Sequence, residues 1–238
     1  MKIVLITGAN EGIGFEVARQ LAKQGMKILV GSRDAERGEI AVKRLCGEGL
    51  DARMVQIDVT DPTGIESAAS KIDAEFGRLD ILVNNAGISI DNAPPSQLDL
   101  AILRQTYETN VFGVFSVTKA MLPLLRKAET ARIVNVSSDL GSLSLNCDPS
   151  FEHAWVKLLA YNSSKSALNA ITIQFAHELR DTAIKMNAVS PGYTATDLNN
   201  FSGTRTVEQG ASIIVKLATI PDDGSTGGFF NEDGIIPW

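Results

Sequence analysis

Side chains that hold metals or staple small domains are scarce in this chain. Its 238 residues include two cysteines, Cys46 and Cys147, about a hundred positions apart with no CxxC spacing, and two histidines, His153 and His177, with no zinc-ligand spacing. A disulfide framework and a zinc site are therefore not suggested, and two free thiols in a reducing compartment are expected. Long apolar runs are missing too. Nothing approaches the roughly eighteen apolar residues of a membrane-spanning helix, and the apolar run of MKIVLITG stops at Thr7 and Gly8, too short for the core of a secretory signal. A cytoplasmic protein that does not enter membranes is expected. Positive charge is in deficit, with 22 Lys and Arg against 28 Asp and Glu and a formal net charge of -6. Nucleic acids and anionic membranes are bound by clustered Lys and Arg, so neither is an expected partner. No Pro/Ser-rich linker, composition shift or internal repeat interrupts the chain, and residues 1–238 read as one domain.

What is present is a rhythm. Short apolar, β-branched runs recur at 2–7, 27–31, 52–59, 79–85, 131–138 and 184–190. They are continuous rather than alternating, the pattern of strands covered on both faces, as in a parallel sheet. Segments of helical periodicity lie between them, among them 13–25, 36–49 and 159–179. Strand and helix in alternation from the first residue predict an α/β fold, a doubly wound parallel sheet flanked by helices. Three less regular segments, 89–99, 141–155 and 192–206, each follow a predicted strand. They should gather at the carboxyl ends of the sheet, where ligands bind in this architecture, and wall a substrate site.

The first predicted strand runs into TGANEGIG, residues 7–14, which opens a helix. Gly8, Gly12 and Gly14 let the backbone turn tightly and approach a pyrophosphate, whose charge suits the free N–H groups of a helix start; Asn10 and Ile13 share the turn. In a chain-initial strand–turn–helix unit this points to a nucleotide. Farther on, YNSSK (161–165) holds a phenol, two hydroxyls and an ammonium. Tyr161 and Lys165, four positions apart, share one helical face. A serine/lysine nucleophile would need Ser163 or Ser164 facing Lys165, but helical residues one or two apart point in different directions, so both serines read as packing.

The spacing TGxxxGxG, in place of the usual GxGxxG, resembles that of the short-chain dehydrogenase/reductases. The resemblance covers essentially the whole chain, with NNAG at 84–87, Asn110 in YETNVFG, Ser138 ending NVSS, Tyr161 with Lys165, and PG at 191–192, all in the family's order. It implies a Rossmann-type fold and an oxidoreductase whose catalytic residues are Asn110, Ser138, Tyr161 and Lys165. Hydride arriving at a ketone leaves negative charge on the carbonyl oxygen, so a proton must be donated there, and Tyr161 is the implied donor. An unperturbed phenol has a pKa of about 10; Lys165 and an oxidised nicotinamide are expected to lower it. Ser138, rather than Ser137, is implied to hydrogen-bond the substrate oxygen, and Asn110 to hold a water linking Lys165 to solvent. Asp58 and Val59 match the adenine contact, although Asp58 also reads as a helix cap. Asn84, Ala86 and Gly87 match the segment beside the adenine ribose, with a sheet-stabilising bond as the other reading of Asn84. Pro191, Gly192, Thr194 and Thr196 match the segment over the nicotinamide and its phosphate, which Tyr161 and Lys165 also flank.

Cofactor choice turns on GSRD, residues 31–34. An acidic side chain there would accept bonds from an unphosphorylated ribose, whereas arginine pairs with a 2′-phosphate. Ser32 and Arg33 stand where relatives using NADP carry small and basic residues, and Asp34 reads as the cap of the next helix. Glu11 departs from the pattern, since many such relatives are basic at that position. NADPH is favoured over NADH. Residues 33–61 and the ending GGFFNEDGIIPW look like the NADPH-dependent carbonyl reductases, although the very large insertion of the monomeric ones is absent. The expected substrate is a small carbonyl compound or alcohol, with Leu143, Leu145, Phe151 and Trp155 either lining its pocket or anchoring their loop, and His153 a possible contact. The apolar ending, with Phe229, Phe230, Ile235, Ile236 and Trp238, packs on its own subunit or on a neighbour, and a homodimer or homotetramer is expected. An NAD-linked alcohol or hydroxysteroid dehydrogenase and a catalytically silent nucleotide sensor are the alternatives.

Overall fold

The continuous apolar runs have a direct explanation in the first strand. In β1 (Ile3–Thr7), Ile3 and Leu5 enter one hydrophobic layer and Val4 and Ile6 the other, because successive strand side chains point to opposite faces. With helices on both faces neither set meets water. The same holds for β2 (Lys27–Ser32), β4 (Ile81–Asn84), β5 (Ala131–Val136) and β6 (Ile184–Val189), where burial is nearly unbroken. Each fully buried Val, Leu or Ile contributes roughly 1.5–3 kcal/mol, so these strands supply much of the folding free energy. The computed structural model describes residues 1–238.

The strands form a single sheet in the order β3-β2-β1-β4-β5-β6-β7-β8, where β3 is Ala52–Gln56, β7 is Phe229–Asn231 and β8 is Gly234–Ile235. All pairings are parallel except that of β7 with β8. Helices α1 (Gly12–Lys23), α2 (Ala35–Gly47) and α8 (Val207–Ala218) supply apolar residues to one layer. Helices α3 (Pro62–Phe76), α5 (Val114–Leu125) and α7 (Leu159–Glu178) supply them to the other. The expected doubly wound sheet is therefore what forms. No helix is long and apolar enough to cross a membrane.

Side chains written into the sequence start these helices. Asp34 accepts from Arg37 N at 3.0 Å to cap α2, as expected, and Asp61 accepts from Thr63 N at 3.1 Å ahead of Pro62. Helix α4 (Leu100–Tyr107) is capped by Asp99, and Thr206 with Gln209 closes a capping box on α8. Asp58 is not a helix cap: its carboxylate accepts from Thr60 N at 2.9 Å and from Thr60 Oγ1 at 2.8 Å. This local Asx turn ends the third strand at Gln56 rather than 59.

Part of the chain's ending packs on its own subunit, while Ile235 is 80% exposed. Phe229 is fully buried in β7 and stacks on Trp238 at 5.4 Å, while Ile236 is buried beside them. Ser142 Oγ donates to Pro237 O at 2.6 Å, which ties the ending to the segment after β5. That segment carries a short helix, α6 (Leu143–Cys147). The chain returns from edge strand β3 through α3 to β4, beside β1, so the strand order reverses between β1 and β4. Segments 89–99, 141–155 and 192–206 follow β4, β5 and β6, three neighbours in the sheet, and lie together at its carboxyl end as expected.

Candidate active site

The glycine turn between β1 and α1 is held from the neighbouring strand. Thr7 Oγ1 accepts from Asn85 N and Ala86 N, both at 3.0 Å, and Asn85 Nδ2 donates back to Thr7 O at 2.9 Å and Gly8 O at 3.0 Å. Gly8 and Gly12 take left-handed conformations, φ +62° and +56°. At Gly14 any Cβ would run into the Asn85 amide and lie 2.5 Å from Gly8 O. Asn10 and Ile13 stay half-exposed within the turn. Glu11, at the start of α1, makes no side-chain cap bond and no acidic side chain occupies the first turn, so the helix-start N–H groups face an uncovered crevice.

Of the other nucleotide residues, Ala86 and Thr196 approach this turn. Thr196 approaches Gly12, where a Cβ would lie 3.5 Å from its methyl group, so the segment after Pro191 closes over the turn. Gly192 has φ +72°, and Thr194 Oγ1 donates to Pro191 O at 3.1 Å to tighten that segment. Ala86 and Gly87 are half-exposed along the crevice, and Val59 is buried against Gly113. Asn84 makes the sheet-stabilising bonds, donating to Thr118 Oγ1 at 3.0 Å and Asn135 Oδ1 at 2.8 Å. Asp58 uses one carboxylate oxygen, Oδ1, in its local turn. Asn85, absent from the expected set, is the asparagine that touches the glycine turn. Arg33 is exposed, and beside it Arg37, which sequence reasoning passed over, pairs with Glu11 at 2.8 Å.

At the chemical end α7 presents Tyr161 and Lys165 one turn apart. The turn after β5, Asp139–Gly141, packs so closely on α7 that a Cβ on Gly141 would lie 2.7 Å from Lys165 Cβ. That contact sets Ser138 against the helix. Ser137 is buried and donates to Asn169 Oδ1 at 2.7 Å, whereas Ser138 is half-exposed and accepts from Leu140 N at 3.2 Å. The serine able to meet a substrate is therefore Ser138. Asn110 lies in a one-turn π-helix, Glu108–Gly113, between α4 and α5. Its amide donates to Ile88 O at 2.8 Å and Ser164 Oγ at 3.0 Å, and Ser164 Oγ donates to Tyr161 O at 2.7 Å. Ser164 is thus more than packing, because it ties Asn110 to the start of α7. Gly87 faces both partners: a Cβ there would lie 3.3 Å from Asn110 Oδ1 and 3.4 Å from Lys165 Nζ.

Burial sets the ionisation of this pair. The Tyr161 phenol is pushed up to about 12 by burial, with the Ser138 hydroxyl drawing it partly back and the Asp139 charge raising it further. The direction is opposite to the one expected from a nearby cation. The Lys165 ammonium is directed elsewhere, donating to Val136 O at 2.8 Å, and burial lowers its pKa to about 8. One support for the phenol has no local signal: Asp91 accepts from Ala160 N at 2.7 Å and Tyr161 N at 3.0 Å. Leu158, the residue preceding α7, provides no cap of its own. Among the loop residues, Trp155 (78% exposed) and Leu143 (67% exposed) lie at the surface, and Leu145 packs with Phe229 and Ile236. Phe151, His153 and Tyr193 form an aromatic row with centroid separations of 5.6 and 5.9 Å.

Residues 2–206 match the family model described as short chain dehydrogenase. The chain belongs to the short-chain dehydrogenase/reductase family. A short-chain dehydrogenase of Penicillium roqueforti is 41% identical over 224 residues, covering 91% of this chain and 88% of that protein. NADPH carbonyl reductase 1 of Mus musculus is 32% identical over 276 aligned positions, covering 99% of this chain and 98% of that protein. The structure of NADPH-bound carbonyl reductase from chicken fatty liver covers the whole of both chains with a TM-score of 0.86 at 27% identity. Short-chain dehydrogenase/reductases are oxidoreductases that bind a nicotinamide dinucleotide, and the crevice fits one. Its helix start carries no side-chain cap and no acidic residue in its first turn, which suits a pyrophosphate, and the left-handed Gly8 and Gly12 shape the turn before it.

Proposed function

We propose that the protein is an NADPH-dependent reductase of ketones and aldehydes, acting reversibly on the corresponding alcohols in the cytoplasm. The observation that carries this reading is the convergence of Tyr161, Lys165, Ser138 and Asn110 on the crevice beside Gly87. Gly8, Asn10, Gly12, Ile13 and Gly14 would hold the dinucleotide's pyrophosphate, with Ala86, Gly87, Pro191, Gly192, Thr194 and Thr196 along the rest of its length. The bound dinucleotide supplies the hydride. Ser138 donates a hydrogen bond to the substrate oxygen and orients it, and Tyr161 gives that oxygen its proton. A phenol near 12 is still a far stronger acid than an alcohol, so this transfer runs downhill as alkoxide character develops. The Lys165 ammonium, near 8, is acidic enough to reprotonate the phenolate, and Asn110 fixes the π-turn beside it.

Arg33 and Arg37 supply positive charge at the end of β2, which suits a ribose 2′-phosphate, and the NADPH-bound chicken relative supports the same reading. Glu11 favours the NADH alternative, because its carboxylate already engages Arg37. Exposed Phe112, Phe115 and Ile173 on the helical faces suit a homodimer or homotetramer. Titrating NADPH and NADH separately by fluorescence, then following nicotinamide absorbance across aldehydes, ketones and quinones, tests the proposal. Tighter NADPH binding and turnover are expected. A clear NADH preference overturns the cofactor assignment, and binding without any turnover overturns the reductase.

A further inference from the structure

The segment that closes over the glycine turn is held in place by a side chain from farther along the chain. Arg205 runs beside it as a single parallel bridge to Thr194: Arg205 N donates to Tyr193 O at 3.0 Å, and Ala195 N donates to Arg205 O at 2.9 Å. The arginine stem then passes Gly192, where a Cβ would lie 2.7 Å from Arg205 Cδ and 3.1 Å from Nε. Glycine suits that position twice over, by this close approach and by its φ of +72°. At the far end Nη1 and Nη2 of the guanidinium meet the two carboxylate oxygens of Glu232 as a bidentate pair, and Nη2 also donates to Gln209 O at 3.3 Å. Arg205 is thus fixed to segment 192–196 by its backbone and to Glu232 by its side chain.

Glu232 stands on a firm base. It lies in the turn between β7 and β8, where Asn231 Oδ1 accepts from Asp233 N at 3.0 Å and Gly234 N at 3.1 Å, and β7 is paired with the last residues of β6. The sheet therefore reaches residues 192–196 by two routes, along the chain from β6 and across space through Glu232 and Arg205. With its carboxylate side chain 48% exposed the pair stays open to solvent screening, but a bidentate fork fixes direction as well as distance. Its main effect is to fix where Arg205, and the segment bonded to it, can sit. That segment ends in Thr196, the residue that meets Gly12. We propose that Arg205 is a positioning residue for the dinucleotide: clamped by Glu232, it holds residues 192–196 where Thr196 closes over the glycine turn, and so sets how tightly the nucleotide is held. This rests on the reading of residues 191–196 as a wall of the dinucleotide site, and adds the pair that sets that wall in place.

Three variants test the inference. Arg205→Met keeps the stem beside Gly192 and removes the fork, Arg205→Lys keeps the charge on a single nitrogen, and Glu232→Gln removes the charge that the fork meets. Each is compared with the parent for the Kd of NADPH by fluorescence, or of NADH if the parent prefers it, for the KM of that nucleotide against kcat, and for Tm. Losing one charge-assisted hydrogen bond corresponds to about tenfold in an equilibrium constant. Arg205→Met should therefore raise the nucleotide Kd and KM by about tenfold, and Arg205→Lys and Glu232→Gln by less, with kcat at saturating nucleotide within about twofold of the parent. A merely structural pair would instead lower Tm and leave the Kd of the folded protein unmoved. A nucleotide Kd within about 1.5-fold of the parent in folded Arg205→Met overturns the inference; if that variant does not fold, the same result in Glu232→Gln overturns it. A parent that binds neither NADPH nor NADH would instead overturn the dinucleotide reading on which the inference stands.

Discussion

Replacing Asp91 by alanine removes a single carboxylate from a loop, yet it should disturb the centre of the site. Helix α7 has no cap from its own sequence, and Asp91 is the acceptor for Ala160 N and Tyr161 N. Losing a helix cap costs about 0.5–2 kcal/mol, and losing its negative charge at a helix start adds about 0.3–1 kcal/mol. The sum, roughly 1–3 kcal/mol, corresponds to a fall in Tm of roughly 3–10 °C for a chain of this size. Asp91→Asn keeps an acceptor without the charge and should lose less. Because Tyr161 N is one of the two amides held, the phenol should shift, and a displacement near 1 Å can cost up to about a hundredfold in rate. The assay is a thermal melt by circular dichroism beside kcat and the nucleotide Kd. The expected pattern is a lower Tm and kcat with the Kd little changed. An Asp91→Ala protein that melts within about 1 °C of the parent and turns over at the parental rate would refute the reasoning.

Lys165→Met should abolish turnover and yet stabilise the chain at neutral pH. Below pH 8 both folded and unfolded chains carry the lysine proton, and the folded chain bears the full burial cost; as pH rises from about 8 towards 10.5 the folded chain releases its proton first and the cost shrinks. That cost is roughly 3 kcal/mol at most, less about 1 kcal/mol for the lost bond to Val136 O, so urea titrations should show a gap that narrows with rising pH; a variant less stable than the parent at neutral pH contradicts this. Gly14→Ala places a methyl against Asn85 and Gly8, and should cost about 1–3 kcal/mol and weaken dinucleotide binding measurably by calorimetry. Arg132 is 2% exposed and donates to Ile220 O at 2.9 Å and Asp222 at 2.6 Å near the opposite end of β5. Arg132→Ala should cost about 2–4 kcal/mol in denaturant without changing the nucleotide Kd.

Which parts were legible follows from how local their causes are. The apolar runs revealed their strands because both faces of β1, β4, β5 and β6 are buried, and the four-residue spacing of Tyr161 and Lys165 put them on one face of any helix. Strand β7 escaped because its three residues join β6 through only two paired positions, so its strand character exists only in the assembled sheet. The short reach of β3 depends on Asp58 finding Thr60. Asp91 escaped because its partners lie 69 and 70 positions away. Ser164 looked like packing because the helical spacing was weighed only towards Lys165, whereas its partner is Asn110 on another element. The expected fall in the Tyr161 pKa failed for a related reason: a lysine four residues away is visible in the sequence, whereas burial of the phenol and diversion of the ammonium to Val136 are tertiary facts.

The central claim, that Tyr161 delivers the proton in carbonyl reduction, is tested most directly by comparing the parent protein with Tyr161→Phe. The measurement is loss of nicotinamide absorbance with NADPH and a carbonyl substrate, alongside NADPH affinity by fluorescence. The hydroxyl is the only group removed, so Tyr161→Phe should bind NADPH with near-parental affinity and lose turnover by about a hundredfold or more. Carbonyl reduction by Tyr161→Phe at the parental rate would contradict the account.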